Sequence, residues 1–122
     1  MWVLIGALLG MTGVGLGAFG THGLSAILTA NGRLSTFDTA SKYHLIHAVA
    51  IVLVGALAPQ MDPRWVNWAG GLLTAGTLVF SGALYVLAVF DLPIMGAVAP
   101  IGGLLMILGW GALAVGAWQA RA

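Results

Sequence analysis

The segment Phe37-Asp-Thr-Ala-Ser-Lys-Tyr-His-Leu-Ile-His-Ala48 carries His44 and His47, two of the chain's three histidines. Three residues apart on a helix, they share a face. Their ring nitrogens could exchange hydrogen bonds, relay protons or bind a transition metal. The same face carries Phe37, Ala40, Ser41, Ala48, Ile51 and Gly55, mostly small residues suited to helix contact. Asp38 and Lys42 form an i,i+4 pair on another side. Tyr43 lies beside the histidines, and Ser81, Tyr85, His22 and Thr21 are candidate partners from elsewhere in the chain. The favoured chemistry is the plainest, in which both histidines are hydrogen-bonded links between helices. A proton or solute path through His and Tyr side chains is a second possibility, and a bound cofactor or lipid headgroup a third. A metal site of His22, His44 and His47 is the weakest, because no carboxylate or thiolate stands beside the pair.

These residues are unusual because of where they must sit. Of 122 residues, 61% are hydrophobic and only 6% charged, against about 25% charged in ordinary soluble domains. A cytosolic enzyme domain is excluded, and lipid is the solvent. The absence of cysteine excludes a disulfide scaffold and any thiolate metal site, and a net charge of +1 gives no reason to expect nucleic acid. Seven charges, Arg33, Asp38, Lys42, Asp62, Arg64, Asp91 and Arg121, divide the chain into four long uncharged stretches. Each is long enough for the roughly 20 residues that cross about 30 Å of hydrocarbon. Runs such as Ile51-Val-Leu-Val-Gly-Ala-Leu-Ala58 do not alternate, which argues against a barrel.

The expected fold is therefore all-α: a polytopic, compact four-helix membrane bundle forming a single domain over 1–122. Its spans are expected at about 2–21, 36–58, 65–90 and 100–119. Gly17-Ala-Phe-Gly20 resembles a signal-cleavage site, but no basic residue precedes the apolar run, so a retained first span is expected. Ser35-Thr-Phe-Asp38 reads as a capping box opening the second span, and Pro100 as the first turn of the fourth. Leu24, Ile27 and Leu28 suggest a short interfacial helix between the first two spans, and residues 92–99 an apolar turn packed on the bundle. Trp2, Trp65, Trp68 and Trp118 lie near span ends, as an aromatic belt requires; Trp110, in mid-span, is the exception. Two Lys or Arg flank each end of the bundle. The terminal amine tips this tie towards cytoplasmic termini.

In the first span, Gly6, Gly10, Gly13, Gly17 and Gly20 fall within about 80° of one another on the helix surface. The fourth span repeats the pattern with Gly102, Gly109 and Gly116, and the third offers Gly71 and Gly82 around Ala75. Such seams let backbones approach where lipid gives helices no hydrophobic reason to associate. Packing within the chain is favoured over a seam for another subunit. Matching glycines in the first and fourth spans hint at a duplication, a weak pointer to an inverted-repeat transporter.

No H-E-x-x-H, G-x-S-x-G, P-loop or C-x-x-C motif is present, so no catalytic residues, metal or cofactor are assigned and no enzyme is expected. The residues do carry a resemblance. Gly17-Ala-Phe-Gly-Thr-His-Gly-Leu24 resembles the GAFGAHGL signature of a small membrane family, domain of unknown function 423. The family includes YgdD- and YwdK-like bacterial proteins and is similar to transmembrane protein 256. Phe37-x-Thr-Ala-x-x-Tyr-His-x-x-His-Ala48, Phe80-Ser-Gly-Ala-Leu-Tyr85, and Pro100-Ile-Gly-Gly103 with Gly109-Trp110 are similar to its other motifs. Thr21 and Ala83 depart from the family pattern, each at a position where a hydroxyl differs.

The resemblance implies four membrane helices, no established activity, and motif positions at His22, Tyr43, His47, Ser81 and Tyr85. The expected function is that of a structural or accessory subunit packing in or against a membrane complex, or against a second copy. A small transporter or channel with a polar path at His47, Tyr43 and Tyr85 is one alternative; a lipid- or cofactor-binding membrane protein is another. The expected partners are membrane lipid and a second copy or a larger membrane complex, with no nucleic acid.

Overall fold

The computed structural model describes residues 1–121, the side chain of Thr21 excepted. Its helices are α1 (Trp2–His22), α2 (Ser25–Asn31), α3 (Leu34–Leu57), α4 (Pro63–Phe90) and α5 (Met95–Arg121), with a 3-10 turn at Ala58–Gln60. No strand occurs among the described residues. Four of the helices are long and apolar enough to cross a membrane. They pack in succession, α1 on α3, α3 on α4 and α4 on α5, with α1 and α4 barely touching. The inner pair α3 and α4 supplies most of the core, including Ile51, Val54, Ala69 and Leu73. The flanking helices turn broad faces outward, with Leu4, Met11 and Val14 exposed on α1 and Leu104 and Ile107 on α5. In lipid such faces need no cover.

Glycine sets how closely the helices approach. A methyl group at Gly6 would stand 2.7 Å from the Val52 nitrogen and 2.8 Å from the Ala48 carbonyl oxygen, and one at Gly55 would stand 2.7 Å from the Val3 nitrogen. Gly13 faces Leu45 and His44, Gly17 the Ser41 hydroxyl, Gly20 the Phe37 ring and Gly10 the Ala48 methyl. Five of the six glycines of α1 thus lie along α3, Gly15 facing open space. On the other side of the molecule, Gly76 and Gly102 bring the backbones of α4 and α5 together, while Gly109 receives Leu73 and Gly116 receives Met61 and Trp65. Gly71 and Gly82 meet nothing within 4 Å. The close approaches of α4 are made by Gly70, under the Trp2 ring, and by Gly76.

Two local expectations need correction. The Ser35–Asp38 capping box does not form, because α3 begins at Leu34 with Arg33 as its N-cap. Gly32, at φ 67°, closes α2 in a left-handed turn, with Arg33 N–H bonded to the Leu28 carbonyl and Gly32 N–H to that of Thr29. The chain re-enters a helix at once, so Ser35 already lies in its first turn. The last helix begins at Met95 rather than Pro100. Its opening turn is tightened by i→i−3 bonds from Met95, Gly96 and Ala97, and exposed Pro100 sits one turn further in, costing a single helical bond. The short helix expected between the first two spans forms as α2, with Leu28 fully buried, Leu24 half-buried at its N-cap and Ile27 pointing outward.

The other ends are tied down by side chains. Asp62 caps α4 by accepting from Arg64 N–H at 2.8 Å, with Pro63 in the first turn. At the far end of α4, the Asn31 amide donates to the Ala88 and Val89 carbonyls at 3.0 and 3.2 Å. Arg33 pairs with Asp91 at 3.3 Å, and Lys42 with Asp38 at 3.0 Å. Trp2 and Trp65 each donate an indole N–H to an amide oxygen, of Asn67 and Gln119 respectively.

Candidate functional site

An imidazole, a phenol or an indole in hydrocarbon must find a partner, because unpaired polar groups are costly there. The helix contacts provide those partners. His44 and His47 are 5% and 4% exposed, on the face of α3 that meets its neighbours. Nδ1 of His47 is 2.8 Å from the Tyr43 carbonyl, which can only accept, so Nδ1 carries the ring proton. Nε2 then accepts from the indole N–H of Trp110 at 3.0 Å, joining α3 to α5. Both ring nitrogens are engaged, and an incoming metal or proton would have to displace Trp110.

His44 bridges two other helices. Its Nδ1 is 2.9 Å from the Tyr85 hydroxyl on α4, and its Nε2 is 3.3 Å from the Thr12 hydroxyl on α1. Thr12 also lies 3.1 and 3.0 Å from the Leu8 and Leu9 carbonyls of its own helix. Its single proton goes to one of these acceptors, which leaves its oxygen to accept from His44 Nε2–H. Tyr85 then donates to Nδ1, and every proton in the chain of bonds is used. Ser81, 2% exposed, adds a second α4–α3 tie by donating to the Ala40 carbonyl at 2.9 Å.

Aromatic rings fill the space around these bonds. Tyr43 stacks on His47 with 6.0 Å between centroids and packs against Phe80 at 4.9 Å. Tyr85 leans on Phe37 at 5.1 Å. Because α1 and α4 scarcely touch, a cleft of about 190 Å³ opens between them. Leu78 and Gly82 form part of its wall, and Thr12, His44, Thr77, Ser81 and Tyr85 also line it.

Of the side chains singled out in the sequence, the structure gathers Tyr43, His44, His47, Ser81 and Tyr85 around α3 and α4. His22 stands exposed in the last turn of α1, without a hydrogen-bond partner among the described residues. Thr21 as a partner lies outside the described side chains. No group of three metal-donor side chains is assembled among the described residues. Sequence reasoning missed Thr12 and Trp110, which hold the outer ends of the two histidine bridges. A signal for Trp110 was present, since an indole in mid-span needs an acceptor for its N–H.

A chain of four apolar spans, joined by polar bonds between neighbouring helices, is a multi-pass helical membrane protein. This chain belongs to the family described as Protein of unknown function (DUF423), whose model matches residues 16–103. It is 40% identical over 119 residues to a UPF0382 membrane protein of Staphylococcus saprophyticus, covering 98% of both chains. It is 39% identical over 110 residues to one from Staphylococcus aureus, covering 90% of this chain and 88% of the relative. The UPF0382 membrane protein YwdK of Bacillus subtilis is 38% identical over 111 residues, covering 90% of this chain and 89% of YwdK. None of these names states a catalytic activity. No solved structure matches the chain.

Proposed function

We propose that the protein is a structural or accessory membrane protein, not an enzyme, that works through its lateral surfaces against a membrane complex or a second copy. One observation carries this reading: the buried histidines and Ser81 are taken up in bonds that join α1, α3, α4 and α5. A conducting path needs polar groups that exchange partners with a solute. Here the same groups serve as fasteners, and the large unpartnered surfaces are the outer faces of α1 and α5. Native mass spectrometry of gently extracted membranes tests this directly. A stoichiometric partner, either a larger complex or a second copy, is expected; monomer alone at every detergent level overturns it.

A transport reading has one observation in its favour, the cleft that reaches His44 and Tyr85. It requires proteoliposomes to carry a flux that Tyr85→Phe reduces. Equal flux from both proteins and from empty liposomes removes it.

A further inference from the structure

We propose that the groove between α4 and α5 at the end bearing the chain termini is a binding site for one anionic phospholipid. The two helices are held close by Gly109 against Leu73 and by Gly116 against Trp65. Beside that seam their outer surfaces leave a trough of about 680 Å³, walled by Trp65, Trp68, Leu72, Ile107, Leu108 and Gly111. Trp68 and Ile107 are 58% and 68% exposed, and a methyl group at Gly111 would meet nothing within 4 Å. From Trp65 to Leu72 the helical rise gives about 10 Å, which stays within one leaflet of a core about 30 Å thick. The trough therefore runs inward from the headgroup level, as an acyl chain does.

Charge at its mouth selects the headgroup. Arg64 stands in the first turn of α4 immediately before Trp65, and its guanidinium lies 5.1 Å from the centre of that ring, part of the trough wall. Arg121 ends α5 two residues beyond Gln119, which accepts from Trp65 at 2.9 Å. Neither arginine has a carboxylate partner among the described residues, and the nearby Asp62 is engaged in capping α4. At the opposite end both basic residues are paired, Arg33 with Asp91 and Lys42 with Asp38. Two cations at this end of the bundle, Arg64 against the trough wall and Arg121 at the last residue of α5, complement a lipid with a net negative head, and basic pockets between membrane helices hold such lipids. This site holds or fails independently of whether the chain also belongs to a complex.

The test uses the full chain in detergent, offered phosphatidylglycerol or phosphatidylcholine of matched acyl length, with bound lipid counted by native mass spectrometry. One phosphatidylglycerol should be retained in preference by about tenfold or more. Arg64→Gln combined with Arg121→Gln, both exposed positions, should abolish the preference. Gly111→Leu should fill the trough and reduce retention of both lipids. Gly15→Leu, which also enters open space but on α1, should change nothing. Equal retention of the two lipids, or an unchanged preference in the double arginine variant, overturns the proposal. So does a protein subunit cross-linking to Trp68 in place of lipid. If Gly111→Leu fails to fold, the arginine variant decides alone.

Discussion

His47 is the side chain whose bonding leaves least latitude, because a carbonyl that can only accept and an indole that can only donate fix both of its nitrogens. Trp110→Phe keeps an aromatic side chain, though a smaller one, and removes the donor, stranding Nε2. The expected loss is about 0.6–1.7 kcal/mol, the range for hydrogen bonds between membrane helices. Tyr85→Phe should cost a similar amount by releasing His44. A denaturation series on both single variants and the double variant checks this. Near-additive losses are expected, because each variant strands a different histidine. Pairing Trp110→Phe with His47→Ala should instead show coupling, and its absence would remove the link. The histidines were legible in the sequence because ionisable groups are rare within spans. Thr12 was not, since a threonine on a helix can satisfy itself on its own backbone. Trp110 is apolar enough to pass as lipid-facing until its one N–H is counted.

Helix contacts in this chain are governed by which glycine faces find a neighbour. Gly102→Ala places a methyl against the Phe80 backbone and 2.8 Å from the Gly76 carbonyl oxygen, where no flexible side chain can yield. A loss of about 1–3 kcal/mol is expected from overpacking. Gly15→Ala meets open space and should stay within about 0.5 kcal/mol of the parent. Unfolding of the purified protein in detergent compares the two. Equal effects would mean that propensity rather than packing sets the outcome. Spacing revealed the glycine stripe of α1 and the triad of α5, because repeats of three and four residues trace one helix face. It also marked Gly71 and Gly82, which meet nothing, and passed over Gly70 and Gly76, which do the work in α4. Position along a helix is written in its own residues, whereas the direction of its neighbour is written in someone else's. The start of α3 was misjudged for a related reason. The Ser35–Asp38 pattern is a local signal, but the left-handed turn at Gly32 had already reset the helix two residues later.

As a whole the molecule is a row of helices, with polar bridges reaching outward from α3 to α1, α4 and α5. Its two ends carry equal numbers of Lys and Arg, so orientation rests on a narrow balance, and the reading tested is that Arg64 and Arg121 face the cytoplasm. A reporter fused after residue 121 should be active there, and a reporter active only on the far side would reverse the assignment. Removing Arg64 and Arg121 together should push part of the population into the opposite orientation. The bridges also impose an order on synthesis. When α3 has been made, Thr12 is already present for one nitrogen of His44, but Tyr85 is still unmade and Trp110 is the last partner to arrive. A nascent or truncated half-protein thus displays bare imidazole nitrogens to lipid until its final helix is inserted. Those nitrogens distinguish an unfinished chain from a finished one, in which every one of them is bonded.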